Sequence, residues 1–354
     1  MKKILLFGCF GQGNFGDELM LKNFIDNCSD ENNNFYIISN GNLDVNLSRK
    51  NFRILNISRI KHKYLYLKMW ILYADYCFWV GGTCFTDQEG DGNFELFKFA
   101  NTFKKKYGYI GVGVNKISSI DRIEKFKFLL LHASIITVRD VDSQKEISNI
   151  TKNKVSCVVA DDLATLEKLS KVGRKNQVLF AWRNLNNYYD KSIEETALNE
   201  VARFLSKIST NYEKIVLLAV DNTCDADCMK IIRDKLILDY SVTRIDLHIC
   251  ENIQSKIKYI CESAIVITAR LHPAVIAELS GIPTIALSYS DKIDYFMNSI
   301  NKASRVIHID EISYEKLMRI YNETEIAIPE DVVLTKKTKA KKNIDELLLF
   351  LGRG

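Results

Sequence analysis

The sequence predicts an α/β protein built as two similar halves. Three observations carry this: the length, an alternation of short apolar runs with helical patterns, and a polar break near residue 173 after which the alternation restarts. The chain has 354 residues. Single hydrophobic cores stop growing at roughly 250–300 residues, so two domains are expected. The predicted division is 1–172 and 173–354, the second part carrying a basic tail and a terminal helix.

In the first half, apolar runs at 4–8, 35–39, 76–81, 109–114, 135–139 and 155–159 read as strands. Stretches at 18–27, 94–106 and 120–131 carry helical patterns between them. Strands that alternate with helices imply a parallel sheet covered on both faces. The linker SKVGRKN at 170–176 interrupts this. Strands then follow at 178–182, 215–220, 264–268 and 284–287, with helices at 192–209, 225–238, 255–262 and 273–280. The expectation is two Rossmann-like domains facing a cleft, with ligands at the carboxyl ends of the strands.

Composition is that of a globular protein, 47% hydrophobic and 26% charged with only 3 prolines, which argues against a disordered or fibrous chain. A net charge of +5 favours anionic ligands weakly. It lacks the concentrated basic face that nucleic acid demands, so no nucleic-acid partner is expected. The 9 cysteines are odd in number and lack framework spacing. Most (Cys9, Cys77, Cys84, Cys157, Cys250, Cys261) sit in apolar runs and read as reduced core thiols of a cytoplasmic protein. The opening MKKILLFG runs straight into a glycine-rich loop, so it reads as a buried strand rather than a signal peptide. No apolar stretch approaches the roughly 18 residues of a membrane span. Two basic segments suggest peripheral contact with an anionic membrane surface. One is 59–73, RIKHKYLYLKMWILY; the other is the tail with Lys336, Lys337, Lys339, Lys341 and Lys342 before 343–351. For the tail, a helix packed on the body with a solvated basic face is the first reading and membrane contact the second.

The chemistry-bearing stretches lie at predicted strand ends. Gly11-Gln12-Gly13-Asn14-Phe15-Gly16 has the spacing of a dinucleotide fingerprint. Asp17 and Glu18 would repel a pyrophosphate, and the second strand ends in Ser39-Asn40 without the acid that would hold a ribose. The glycines still allow close approach of backbone to ligand. Asp17 at the helix start is favoured as a carboxylate by the dipole and could accept a hydroxyl proton, or simply cap the helix. Gly81-Gly82 end another strand and suit a cleft wall or a plain turn. Arg139-Asp140 fit a structural ion pair or helix cap better than catalysis. Arg183 ends the first strand of the second half, where a guanidinium fork can grip a carboxylate or phosphate. Thr268-Ala269-Arg270-Leu271-His272-Pro273 places Arg270 and His272 between a buried strand and a helix start, beside an anion-attracting N-terminus. His272 is the side chain most easily tuned to move a proton. Lys292 can reach the same face. Cys224 and Cys228 with Asp221, Asp225 and Asp227 lack the second cluster a zinc site needs, so no metal is expected.

These pieces, in order, resemble the polysaccharide pyruvyl transferase family: GQGNFGDE, GGTCFTD, TVRDVDS, VVADDLA, WRN and above all TARLHPAVIAELSGIPTIALSYSDKIDYF, spanning residues 8–296. Thr83 stands where a third glycine is usual, Asp162 where Asp-Pro is common, and Thr268 for a frequent serine. The resemblance implies a fold like the GT-B glycosyltransferases and a reaction using phosphoenolpyruvate as co-substrate, without a cofactor. Its enolpyruvyl group becomes a cyclic ketal on two hydroxyls of a sugar in surface polysaccharide synthesis, and phosphate leaves. Arg183, Arg270 and His272 are then the donor-site candidates with Lys292. Asp17, Gly13, Asn14 and Gly82 fall to the acceptor side, for a saccharide that can be lipid-linked. The alternatives are a glycosyltransferase of the same frame using a nucleotide sugar, and a non-catalytic sugar-binding protein.

Overall fold

The computed structural model describes residues 1–43, 45, 47, 49–170, 172–186, 188–323 and 328–353. Lys171, part of the expected linker, lies outside the described residues. The chain divides into two compact units. The first is Met1–Gln12, Asp17–Glu167 and Leu334–Gly354; the second is Gly13–Gly16 and Lys168–Val333.

The first unit contains β1 (Lys3–Phe7), α1 (Phe15–Asn27), β2 (Asn34–Ser39), β3 (Phe52–Asn56), α2 (Lys63–Tyr73), β4 (Tyr76–Val80), β5 (Thr83–Phe85), α3 (Phe94–Thr102), β6 (Lys106–Val114), α4 (Ile120–His132), β7 (Ile135–Val138), α5 (Val141–Thr151) and β8 (Val158–Val159). Its strands are parallel and ordered β3-β2-β1-β4-β6-β7-β8, with β5 pairing β6 off that path. One face buries Leu5, Phe7, Cys77, Tyr107 and Tyr109 against Leu67 and Ile71 of α2, Phe97 of α3 and Phe126 of α4. Alternating strand side chains supply that face. Asp140 caps α5, its carboxylate accepting from Ser143 N at 2.6 Å. Arg139 is buried and donates to Thr83 Oγ1 at 2.7 Å and to Asp162 Oδ2 at 3.4 Å. The hydroxyl of Thr83 therefore ties β5 to the end of β7, a contact a third glycine could not make.

The second unit contains β9 (Gln177–Ala181), α6 (Lys191–Ile208), β10 (Lys214–Leu218), α7 (Ala226–Leu238), β11 (Ile245–His248), α8 (Ile253–Glu262), β12 (Ile265–Thr268), α9 (Leu271–Leu279), β13 (Thr284–Ser288), α10 (Asp291–Ser299), β14 (Val306–His308) and α11 (Tyr314–Asn322). Its parallel order is β11-β10-β9-β12-β13-β14. This is the 3-2-1-4-5-6 winding of a Rossmann sheet, with its direction reversing between β9 and β12.

Two expectations are corrected. The terminal helix, expected with the second half, is α12 (Glu330–Arg353), and from Leu334 on it groups with the first unit. Ala340, Ile344, Leu347 and Leu351 recur on one helical face and are buried. Buried Asn343 donates to Asp161 O at 2.8 Å and accepts from Thr137 Oγ1 at 2.6 Å. Lys336, expected on a solvated face, is buried and pairs with Asp161 at 2.9 Å. The cysteines are also more varied than expected. None of the nine is in a disulfide, but Cys9, Cys224 and Cys250 are exposed and Cys157 is half-buried.

Candidate anion site of the second unit

Three adjacent strands deliver the site. Thr268 of β12 lies opposite Ala181 of β9 and Ala286 of β13. Continuing each chain one or two residues past its strand gives Arg183, Arg270 and Tyr289. They meet at the reversal point of the strand order, where open α/β sheets take their ligands.

Local structure fixes each exit. After β9, the buried carboxylate of Glu194 accepts from Trp182 Nε1 at 3.0 Å and Leu185 N at 3.1 Å, bracketing Arg183. After β12, Thr268 Oγ1 accepts from Arg270 N at 2.9 Å and turns the chain into α9. Arg270 is the N-cap of that helix, and the first turn carries no acidic residue and no side-chain cap bond. The dipole at that end of the helix favours an anion.

The Arg183 guanidinium donates from Nη1 to the Tyr289 hydroxyl at 2.7 Å. It also lies over the rings of Tyr188 and Tyr289, at 4.7 and 5.0 Å from their centroids, and those two rings meet edge-on at 5.0 Å. Lys292 sits 4.9 Å from the Tyr289 centroid. Burial alone would push the Tyr289 hydroxyl up, but the charges of Lys292, Arg183 and Arg270 outweigh it and bring it down to about 7. A tyrosine so lowered reports a concentrated positive field.

Arg270 is buried and grips Asp225, which is wholly inaccessible to solvent. Nε donates to Asp225 Oδ2 at 2.9 Å and Nη2 to Oδ1. Burial would lower the Arg270 pKa, but the Asp225 carboxylate outweighs it and raises it. Asp225 Oδ2 also accepts from Val220 N at 3.2 Å and Asp221 N at 2.9 Å. Asp221 accepts from Thr223 and from Cys224 N. Two of the three carboxylates in that cysteine–aspartate group, Asp221 and Asp225, are therefore engaged in shaping this turn.

Gly13 and Asn14 were expected on the first half, but they group with the second unit. Asn14 forms an antiparallel bridge with Asp221, Asn222 N donates to Gly13 O at 3.1 Å, and Phe15 N donates to Val220 O at 3.1 Å. The physical reason is a local ladder of backbone bonds anchored by buried Phe15. Asn14 Oδ1 accepts from Gly16 N at 2.9 Å. A Cβ on Gly16 would lie 2.0 Å from His272 Nδ1. His272, half-buried in the first turn of α9, faces this glycine.

In the first unit, Asp17 is half-buried in the first turn of α1. Gly82, at φ +71, follows β4, and a Cβ there would lie 2.8 Å from Asp17 Oδ1. These residues again follow the two strands, β1 and β4, between which the order reverses.

The pattern of the family described as polysaccharide pyruvyl transferase matches residues 14–291, which contain every residue of the cationic cluster except Lys292. The chain belongs to the polysaccharide pyruvyl transferase family. It is an enzyme of that family. No curated protein matches it. Among solved structures it is similar to the UDP-GlcNAc 2-epimerase of Methanocaldococcus jannaschii, at TM-score 0.67 and 14% identity over 99% of this chain and 100% of that one. A S. aureus MnaA–UDP co-structure gives TM-score 0.64 and 13% identity, over 98% and 95%. The epimerase of Neisseria meningitidis bound to UDP-GlcNAc gives TM-score 0.58 and 14% identity over the whole of both chains. At this identity the likeness establishes the fold, two Rossmann-like units of GT-B type. Among the described residues of this pyruvyl transferase, no helix is long and apolar enough to cross a membrane.

The structure brings Arg183, Arg270 and Lys292 around one tyrosine and sets His272 against Gly16. Sequence reasoning missed Tyr289, Asp225 and Glu194 in this pyruvyl transferase. Tyr289 was within reach, since it stands two residues past a predicted strand. Asp225 and Glu194 act on residues far along the chain or across a turn, and carry no local signal.

Proposed function

We propose that the enzyme transfers the pyruvyl group of phosphoenolpyruvate to two hydroxyls of a saccharide as a cyclic ketal, with release of phosphate. The observation that carries this is the cationic cluster at three neighbouring strand ends. Phosphoenolpyruvate bears a carboxylate and a phosphate on one small frame. Two guanidinium forks and an ammonium match both groups, and the dipole at the N-terminus of α9 favours an anion.

In this reading Arg183 exchanges the Tyr289 hydroxyl for a donor oxygen, while Arg270 is held by Asp225 with its remaining N–H groups available. His272 protonates the methylene carbon, which becomes the ketal methyl and leaves positive charge at C2. One sugar hydroxyl adds there and Asp17 accepts its proton; Gly82 leaves room for that carboxylate. Phosphate then departs with the C2–O bond electrons and the second hydroxyl closes the ring. Two hydroxyl protons are released and one is taken up by carbon, so the other leaves with phosphate or solvent. The scheme itself calls for no metal or cofactor. The acceptor is a precursor of a surface polysaccharide, and a lipid-linked one would be met at the inner face of a membrane.

Incubation with phosphoenolpyruvate and candidate saccharides should release phosphate and yield a ketal methyl signal by NMR. Normal turnover by His272→Ala would remove the role given to His272. The fold shared with enzymes solved with UDP and UDP-GlcNAc favours one second reading, a nucleotide-sugar donor. Consumption of a nucleotide sugar without phosphoenolpyruvate would decide for it. Binding of phosphoenolpyruvate without turnover on any acceptor would indicate a binding protein.

A further inference from the structure

Helix α2 of the first unit has an inner and an outer face, and both are apolar. Leu67 and Ile71 point into the core and are buried. Leu65, Met69 and Leu72, spaced i, i+4 and i+7, share the opposite face. They are 62%, 63% and 43% exposed. Tyr64 and Tyr73 flank them and are also exposed. The patch extends to α3, on which α2 packs. Lys68 lies 5.1 Å from the Phe99 centroid, and Phe99 packs at 4.6 Å on exposed Phe103. Scattered single exposed hydrophobes need no explanation, but a contiguous row on one helix does.

The charge carried by α2 and its approach is of one sign, although exposed Asp75 follows the helix and exposed Glu95 precedes Phe99 by one turn of α3. Residues 59–73 hold Arg59, Lys61, Lys63 and Lys68 and no aspartate or glutamate. An aliphatic ridge with tyrosines at its flanks and a lysine collar has the chemistry of a helix lying in a membrane interface, its apolar face in the acyl boundary and its cations at anionic headgroups. The helix has 11 residues, about half a membrane span, so it lies on the bilayer rather than crossing it. A second copy of the chain fits less well. A two-fold interface brings the same patch against itself, so each lysine collar would meet another lysine collar.

We propose that the outer face of α2 is a docking surface for an anionic lipid bilayer. The inference is independent of which donor the second unit binds. Membrane contact brings the first unit to where a lipid-carried saccharide resides.

The test is flotation of the full chain with vesicles of phosphatidylcholine, with and without phosphatidylglycerol. The protein should float with the phosphatidylglycerol vesicles and at least about tenfold less with pure phosphatidylcholine, the difference shrinking at high salt. The triple variant Leu65→Ser/Met69→Ser/Leu72→Ser should lose flotation while keeping its melting temperature and its phosphoenolpyruvate binding. Lys61→Glu/Lys68→Glu should lose the preference for anionic vesicles. Absence of flotation by the wild type, or equal flotation by the triple variant, overturns the proposal. So does a wild-type dimer in sedimentation that the triple variant converts to monomer, since the face would then be covered by a second copy. Because phosphoenolpyruvate binding is measured separately, failure here leaves the donor reading untouched, and the reverse also holds.

Discussion

Gly16 stands directly against His272: a Cβ on the glycine would fall 2.0 Å from the imidazole Nδ1. The third glycine of the G-x-G-x-x-G spacing is therefore explained without any pyrophosphate. It leaves room for a histidine 256 positions later in the chain. Gly16→Ala should displace the ring or the loop. A misplaced acid–base group costs roughly 10²–10⁴-fold in rate. Turnover should fall by about that much, with phosphoenolpyruvate affinity changed far less; steady-state kinetics and direct binding together would show the split.

Tyr289 predicts a pH dependence. Its hydroxyl is lowered to about 7 by the surrounding cations, so its charged form is favoured in the fold and the proton is lost as pH rises through about 7. Above that pH the phenolate sits on Arg183 and competes with an incoming anion. Affinity for phosphoenolpyruvate should weaken as pH rises, by at most about tenfold per unit. Tyr289→Phe should flatten this profile and abolish the tyrosinate absorbance that the wild type gains near neutrality. A wild-type profile that is flat across neutrality contradicts the assignment.

The buried Arg270–Asp225 pair predicts a stability effect. Removing one partner of such a pair leaves an uncompensated charge and costs roughly 3–5 kcal/mol. Asp225→Ala should lose about that much in urea denaturation and should also bind phosphoenolpyruvate poorly, because Arg270 would lose its anchor. Asp225→Asn keeps the shape and should lose less. Equal stability of all three chains would mean that the pair does not hold the turn.

Arg183→Lys should not behave as a conservative change. Lysine offers no planar fork to bind both oxygens of an anion or to lie over Tyr188 and Tyr289. The apparent affinity for phosphoenolpyruvate should fall by about tenfold or more, since one charge-assisted hydrogen bond is worth roughly 1.5–3 kcal/mol. A melting temperature close to wild type would separate this from unfolding, as Arg183 is half-buried and lies beyond its strand.

The parts of the fold legible in the sequence were those with uninterrupted apolar runs. β1, β4, β9 and β12 are almost wholly buried and declare themselves. β3, β11 and β14 sit at or near sheet edges; Arg53, Asp246 and His308 break their apolar pattern, so none was foreseen. Arg183, Arg270 and His272 were singled out because strand ends in a doubly wound sheet point to a ligand. Applying the same rule to β13 would have found Tyr289. The attachment of α12 to the first unit was not legible. It depends on Asn343 bonding to Thr137 and Asp161, residues 206 and 182 positions away. Nor could spacing alone show that Gly13 and Asn14 bond to the turn at Asp221.

The central claim is that the cationic cluster of Arg183, Arg270, Tyr289 and Lys292 receives phosphoenolpyruvate. Calorimetric titration tests it without knowledge of the acceptor. Phosphoenolpyruvate should bind the wild type, bind Arg183→Met at least about tenfold more weakly, and be unaffected by saturating UDP-GlcNAc. Binding of UDP-GlcNAc with none of phosphoenolpyruvate, or equal phosphoenolpyruvate affinity in wild type and Arg183→Met, would contradict the account.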